Sequence, residues 1–376
     1  MTGRRVTVEG PAGAPWLVLS NSLGTTSSLW DPQMPALRHR FRVVRYEHRG
    51  HGGTDAPPGP YTIADLAGDL LGVLDTVGAE RASVMGVSLG GMVAMWLGAH
   101  RPERVERLVL ACTAPQLPPP DAWAERAAQV RAHGTGQLLE GLLGRWFTPG
   151  WLVGHPAMRA EVAGMLGSAS PEGYAGCCEA IGAMDQWADL AGIDAPTLVI
   201  GGAADPVSPP ETAARMHRAI AGSTLVVLAG AAHLANVEQA GRFTDAVLGH
   251  LSGTPFERGD ATRRAVLGDA HVDRSAAGST PMTESFSELL TRYAWGEIWT
   301  RPGLDRRTRS AVTVAVLAAL GRSEELALHV RGARRNGLSD DEIAEVLLQV
   351  AVYAGVPAAN SAFGVARRAL EGGDGG

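Results

Sequence analysis

The spacing of apolar residues changes character once along the chain, and that change limits the folds open to it. Up to about residue 118, short β-type runs alternate with amphipathic helical ones. Trp16–Ser20, Phe41–Tyr46, Ala82–Gly86 and Val105–Ala111 read as strands, and Ile63–Val77 and Leu89–His100 as helices. Such alternation builds a mostly parallel α/β sheet. The prolines Pro118–Pro120 open a stretch to about Leu190 with helical spacing, Trp123, Trp146, Trp151 and Trp187, and no convincing strand; it reads as an inserted helical cap over about 119–190. Strands return at Thr197–Ile200 and Thr224–Leu228, separated by a helix over Pro210–Ala221 and closed by one over Gln239–Leu251.

From about Pro255 the β signal disappears. Glu257–Leu267, Thr283–Trp299, Asp305–Leu320, Ser323–Asn336, Asp340–Tyr353 and Pro357–Leu370 all read as helices, with Gly337 just past one of them and Ser339-x-x-Glu342 as a capping box for the next. Ser275–Pro281 reads as a loop, and the final Gly-Gly-Asp-Gly-Gly as a frayed end. The expected organisation is an α/β domain over 1–252 and an all-α domain over 255–376.

Composition excludes several chemistries. All 33 basic residues are arginine, so no Schiff-base lysine, pyridoxal-phosphate anchor or phosphate-loop lysine exists. With 39 acidic residues and a net charge of −6, no general basic field awaits a nucleic acid. Cys112, Cys177 and Cys178 form no C-x-x-C pair, and neither a cysteine zinc site nor a disulfide framework is expected. Glu9 and Pro11 stand where a signal peptide needs apolar residues, and no run approaches the ~18 apolar residues of a membrane span, so a cytoplasmic protein without membrane contact is expected.

Gly86-Val87-Ser88-Leu89-Gly90 matches G-x-S-x-G, placed directly between a strand and a helix where a sharp turn would expose the Ser88 hydroxyl. An alcohol is a weak nucleophile at neutral pH and needs a base, which in turn needs a carboxylate to fix its tautomer. Asp205 follows strand Thr197–Ile200 and His233 follows strand Thr224–Leu228. Loops at the C-terminal edge of a parallel sheet are where such groups converge. His48 and His51 flank a turn and read as mainly structural. Oxyanion donors are expected from the amide of Leu89 and from that of Leu23, in the Asn21-Ser22-Leu23-Gly24 turn after the first strand.

Gly86–Gly90, the Asp205 and His233 loops and Arg49-Gly50-His51-Gly52 resemble the α/β-hydrolase family. Ser20-Asn21-Ser22-Leu23-Gly24-Thr25, Gly86–Met92 and Arg145-Trp146-Phe147-Thr148 are similar, more specifically, to 3-oxoadipate enol-lactonases of aromatic catabolism, over about residues 5–251. That resemblance implies an anionic lactone substrate. Its carboxylate needs an arginine, and Arg145, beside Trp146 and Phe147, is the candidate, with Arg126 and Arg131 preceding it.

In the second region Tyr293–Leu304, Asp305–Ser310 and Glu324–Gly337 are dense in polar and aromatic residues, and Glu325 and His329 lie one helical turn apart. By pattern alone His329 reads as an interhelical structural histidine. Residues 255–370, including Gly355-Val356-Pro357-Ala358-Ala359-Asn360, resemble 4-carboxymuconolactone decarboxylase, and this region has no cysteine for the redox chemistry of related peroxidases. The resemblance implies a cofactor-free and metal-free decarboxylation in which the unsaturated lactone accepts the electrons. It makes His329 the candidate proton donor, with Glu297, Arg306 and Arg309 as secondary substrate-binding candidates. It also implies homo-oligomerisation through this region. The two activities would follow one another on small lactone carboxylates. The alternatives are a general serine carboxylesterase carrying a non-catalytic helical oligomerisation module, and a binding or scaffold protein without catalysis.

Overall fold

The computed structural model describes residues 5–117, 119–301 and 303–371; Pro118, Pro302 and the glycine-rich end read above as frayed lie outside the described residues. The chain divides into two compact units, 1–251 and 252–376. Among the described residues no helix is long and apolar enough to cross a membrane.

The first unit is built on a seven-stranded sheet: β1 (Val6–Glu9), β2 (Trp16–Ser20), β3 (Arg42–Tyr46), β4 (Ala82–Val87), β5 (Val105–Ala111), β6 (Thr197–Gly202) and β7 (Thr224–Leu228), in the order β1-β3-β2-β4-β5-β6-β7. All neighbours are parallel except β1, which pairs antiparallel with β3. Strand β1 escaped the sequence reading because its four residues sit at the edge, too short to announce a period. Strands β4 and β6 are buried at every residue, as expected for strands covered on both faces.

Helices α1 (Ile63–Val77) and α2 (Leu89–His100) stand where the apolar spacing predicts them. Helix α1 begins with a reciprocal Thr62/Asp65 capping box and ends at Gly78, whose φ of 73° closes the helix in the left-handed region. Between β5 and β6 lie the cap helices α3 (Pro120–His133), α4 (Leu139–Trp146), α5 (Pro149–Gly154), α6 (Met158–Gly167) and α7 (Pro171–Ala183). Arg131 on α3 forks to Glu172 and Glu179 on α7, fastening the two cap helices to each other. Helices α8 (Pro210–Ala219) and α9 (Ala240–Leu251) complete the unit.

The second unit is helical throughout its described residues: α10 (Pro255–Leu267), α11 (Asp269–Ala277), α12 (Pro281–Leu290), a π-helix (Thr291–Ile298), α13 (Arg306–Ala319), α14 (Ser323–Arg335), α15 (Asp340–Tyr353) and α16 (Val356–Glu371). Its main core joins Val314, Leu326, Val330, Ile343, Leu347 and Ala362 from α13–α16. A smaller core packs Val266, Leu267 and Trp295 against Trp299 and Leu328. The Ser339/Glu342 capping box is formed.

Two readings of this region need correction. The Ser275–Pro281 stretch is not wholly loop, because α11 runs to Ala277. Val272 buried on its inner face and Arg264 paired with Asp269 and Asp273 hold a helix that composition alone does not suggest. Thr283–Trp299 is not one α-helix either. It widens into a π-helix at Thr291, where Gly296 lies so close to the Pro255 carbonyl that an added Cβ would sit 1.8 Å from its oxygen. The wider turn lets two backbones meet, which a 3.6-residue pattern cannot reveal.

Candidate active sites

Strand β4 ends at Val87 and α2 begins at Leu89, so Ser88 must turn the chain within one residue. It does so at φ 56° and ψ −118°, a conformation costly for a residue with a Cβ. The surroundings hold it there. Its N–H donates to Ala111 O at 3.0 Å, and its carbonyl accepts from Met92 N at 3.0 Å and from the Thr113 hydroxyl at 2.8 Å. Glycine is required on both sides, since a Cβ at Gly86 would sit 2.1 Å from Gly90 O, and one at Gly90 would sit 2.0 Å from Ser20 O.

The loops after β6 and β7 bring Asp205 and His233 to this turn. The Ser88 hydroxyl lies 2.9 Å from His233 Nε2, and His233 Nδ1 donates to Asp205 Oδ2 at 2.9 Å. Asp205 also accepts from Val207 N, Ser208 N and the Ser208 hydroxyl. Burial works to raise the Asp205 pKa, but the positive end of His233 and these hydrogen bonds outweigh it and hold the carboxyl below its usual value. All three side chains are buried, Ser88 at 6 % exposure and the other two at 3 %. The amides of Leu23 and Leu89 have no hydrogen-bond partner among the described residues.

The loop carrying Leu23 is shaped by groups the sequence reading left structural. Asn21 donates to Tyr46 O and accepts from the Trp30 indole, and His48 Nε2 donates to Asn21 O at 3.0 Å. His51 Nε2 accepts from Gly24 N at 3.1 Å, which fixes its proton on Nδ1, facing Arg49 O. Burial pulls both histidines down to about 4, so at neutral pH both rings are uncharged, as these bonds require.

In the cap the candidate arginines separate. Arg131 is engaged by Glu172 and Glu179. Arg145, half-buried on α4, has no hydrogen bond or ion pair among the described residues; burial and the neighbouring Arg126 lower its pKa. Arg126 lies over the Trp123 ring at 5.0 Å. Both guanidiniums act on buried Tyr174, whose ring is also the nearest neighbour a Cβ on Gly24 would meet. Tyr174 was missed because only the fold carries it to the Leu23–Gly24 loop. Trp146 is buried in the main core, and its carbonyl accepts from Leu234 N at 3.0 Å. A cleft of about 710 Å³ opens beside these loops, lined by Thr26, Leu29, Phe147, Met165 and Leu234 among others. Ser88 is not in its wall.

In the second unit the His329 ring lies nearly parallel to Trp295 at 6.0 Å and 5°, and 6.2 Å from Trp299. Burial, then the neighbouring His271, lower the His329 pKa to about 4, with Glu325 giving only a smaller opposing pull. The upward shift that Glu325 would confer is therefore overruled by desolvation. His271, on α11, is lowered in turn by burial and by Arg263, Arg274, Arg331 and Arg335. These groups lie on three segments, α10, α11 and α14, and no motif spacing links them. The secondary candidates do not join them: Glu297 and Arg306 are exposed without ion pairs among the described residues, and Arg309 donates to Leu304 O and Arg301 O. Among the described residues no group of three or more His, Cys, Asp or Glu side chains is placed to hold a metal ion.

Comparison with known proteins gives each unit relatives of its own. Residues 15–151 match the alpha/beta hydrolase fold model, residues 174–249 the TAP-like protein model, and residues 284–368 the carboxymuconolactone decarboxylase family model. The chain is 39% identical over 238 residues to 3-oxoadipate enol-lactonase 2 of Acinetobacter baylyi, covering 63% of this chain and 89% of that protein. Over 116 residues it is 44% identical to 4-carboxymuconolactone decarboxylase of the same organism, covering 31% of this chain and 87% of that protein. The crystal structure of the enol-lactonase from Burkholderia xenovorans LB400 aligns with a TM-score of 0.65 at 41% identity, over 66% of this chain and 96% of that one. With Ser88, His233 and Asp205 joined by hydrogen bonds in one unit and His329 stacked against two tryptophans in the other, the chain belongs to the 3-oxoadipate enol-lactonase family of the α/β-hydrolase fold through its first unit and to the carboxymuconolactone decarboxylase family through its second.

Proposed function

We propose that this chain is a bifunctional enzyme of the 3-oxoadipate pathway. The second unit decarboxylates 4-carboxymuconolactone to 3-oxoadipate enol-lactone, and the first hydrolyses that lactone to 3-oxoadipate. The observation that carries the hydrolytic reading is the chain of hydrogen bonds from Ser88 through His233 to Asp205.

In the hydrolytic step Ser88 Oγ attacks the lactone carbonyl while His233 Nε2 takes its proton and Asp205 steadies the resulting cation. The Leu23 and Leu89 amides receive the oxyanion. The ring C–O bond then breaks, and the enol that leaves takes the proton from His233, after which water repeats the sequence on the acyl-enzyme. Arg145, with Arg126 near it, holds the substrate's carboxylate, since it is a half-buried cation without an ion pair among the described residues. Phe147 contributes an apolar wall to the neighbouring cleft, and Trp146 packs in the core.

For decarboxylation the C–CO2 bond breaks and its electron pair passes through the ring double bond into the lactone carbonyl. The carbon α to that carbonyl then takes a proton. His329 is placed to supply it, and Arg263, Arg274 and Arg331, around His271, fit the retained carboxylate. A neutral imidazole is a poor acid, so the anionic substrate must draw a proton onto His329 as it binds. The exposed stripe Val312, Val316 and Leu320 along one edge of α13 and its end, with Leu348 and Val352 on α15, is the surface through which copies of the second unit would assemble. Three free, buried cysteines fit a reducing cytoplasm.

The deciding experiment gives the protein 4-carboxymuconolactone and follows CO2 and 3-oxoadipate together. Release of both in equal amounts is expected. Ester hydrolysis without CO2 would leave a serine carboxylesterase with a helical module.

A further inference from the structure

The mechanism above makes no use of one buried carboxylate in the first unit. Glu238 ends the single helical turn Ala235–Glu238, five residues after His233, and is buried. Its Oε2 accepts from Ala232 N at 2.7 Å, the amide immediately before the catalytic histidine. Its Oε1 accepts from Thr148 N at 3.0 Å and from the Thr148 hydroxyl. Thr148 lies three residues beyond Arg145, at the N-terminus of α5. One further bond crosses the same junction, from Leu234 N to Trp146 O at 3.0 Å.

A carboxylate that accepts three hydrogen bonds away from water is held more firmly than the backbone it touches could hold itself. The two segments it joins are chemically unlike. One bears the base, and the other is the cap strand that carries the candidate carboxylate-binding arginine. No other side chain among the described residues hydrogen-bonds to both the 145–148 and the 232–234 segments. We propose that Glu238 is a positioning residue that locks the cap segment 145–148 to the His233 loop, so that seating the substrate's carboxylate and aligning the base are one event. The coupling half of this inference rests on the reading of Arg145 given above; the alignment of His233 does not.

The test uses the full chain and two substrates, the anionic enol-lactone and neutral 4-nitrophenyl acetate. Glu238→Gln keeps the shape but turns an NH2 group toward a donor. It is expected to lower kcat on both substrates by about tenfold or more, in keeping with the cost of a misplaced general base, and to leave KM for the neutral ester within about threefold. The acid limb of kcat/KM should move, because the His233 environment changes. Thr148→Val should show a weaker loss of the same kind and Thr148→Ser should restore the rate. CO2 release from 4-carboxymuconolactone, catalysed by the other unit and measured separately, serves as the internal standard for intact protein.

A folded Glu238→Gln protein with kcat within about twofold of wild type on both substrates and an unmoved acid limb would overturn the proposal. If Glu238→Gln fails to fold, the Thr148 pair decides: wild-type kinetics for Thr148→Val overturns it, and loss with rescue by serine upholds it. A fall in ester turnover combined with no response of the lactone to Arg145→Ala would uphold the alignment of His233 and remove only the assignment of Arg145.

Discussion

The two units prepare their chemistry in opposite ways. In the first, the candidate catalytic groups are hydrogen-bonded in a chain: Ser88 to His233, His233 to Asp205, and Asp205 to the Val207 and Ser208 amides. In the second, His329 has no hydrogen bond among the described residues and is held by ring contacts with Trp295 and Trp299. The difference follows from the reactions. Acyl transfer needs the protein to create a nucleophile and place it, whereas the decarboxylation substrate brings its own electron sink and asks mainly for a charge environment and one proton. Preorganised geometry serves the one, and an electrostatic field that the substrate completes serves the other.

The comparison breaks most decisively at Ser88. Ser88→Ala should reduce enol-lactone hydrolysis by about 10⁴-fold or more while CO2 release stays near the wild-type rate, measured on the same preparation. Lactone turnover within about tenfold of wild type would show that the buried hydroxyl is not the nucleophile.

The mirror experiment is His329→Gln, expected to slow decarboxylation by roughly 10²–10⁴-fold and to spare the lactonase. The pH profiles sharpen it. The free His329 titrates near 4, so kcat/KM for decarboxylation should fall as pH rises above that point, whereas kcat should hold to higher pH because the bound dicarboxylate raises the same pKa. Coincident limbs in the two profiles would count against substrate-induced protonation and turn attention to His271 or a bound water.

Arg145→Ala tests whether the cap contributes charge or only shape. Pairing with a partly desolvated carboxylate predicts a loss of about 10–100-fold in kcat/KM for the anionic lactone, with a neutral ester little changed. Equal losses on both would mean that Arg145 merely supports the cap.

A further effect is expected on the stability of the first unit in acid. His48 and His51 are neutral and buried when the first unit is folded, with pKa values near 4, and take up protons near 6.5 when it unfolds. The unfolded state binds more protons between those values, so stability is full above about 6.5 and falls as pH drops toward 4, by up to ~3 kcal/mol for each ring. Urea midpoints measured across pH 4–7 should decline for wild type and decline less for a folded His51→Gln protein. Parallel curves would show that the loss comes from other groups.

Legibility in the sequence followed the range of the interactions. The Ser88 turn was visible because strand, glycines and helix stand within ten residues, and Asp205 and His233 because each directly follows a strand. Most helix limits matched for the same reason, since capping pairs such as Ser339/Glu342 and closing glycines such as Gly337 act locally. The π-helix and α11 escaped because their causes are contacts with other segments: Gly296 against Pro255, and Val272 in a core made by other helices.

What the sequence determined by itself was therefore the order of elements, the split between an α/β and an all-α region, and the residue types that could act. What only the tertiary structure decided was which of them are free to act. Arg126, Arg131 and Arg145 are indistinguishable as letters, yet the fold brings two glutamates to Arg131 and, among the described residues, no ion-pair partner to Arg145. Glu325 is one turn from His329 and pulls its pKa upward, yet burial beside two tryptophans and the neighbouring His271 lower it instead. Charge and desolvation act through space over several ångströms, and residues that share that space can lie anywhere along the chain.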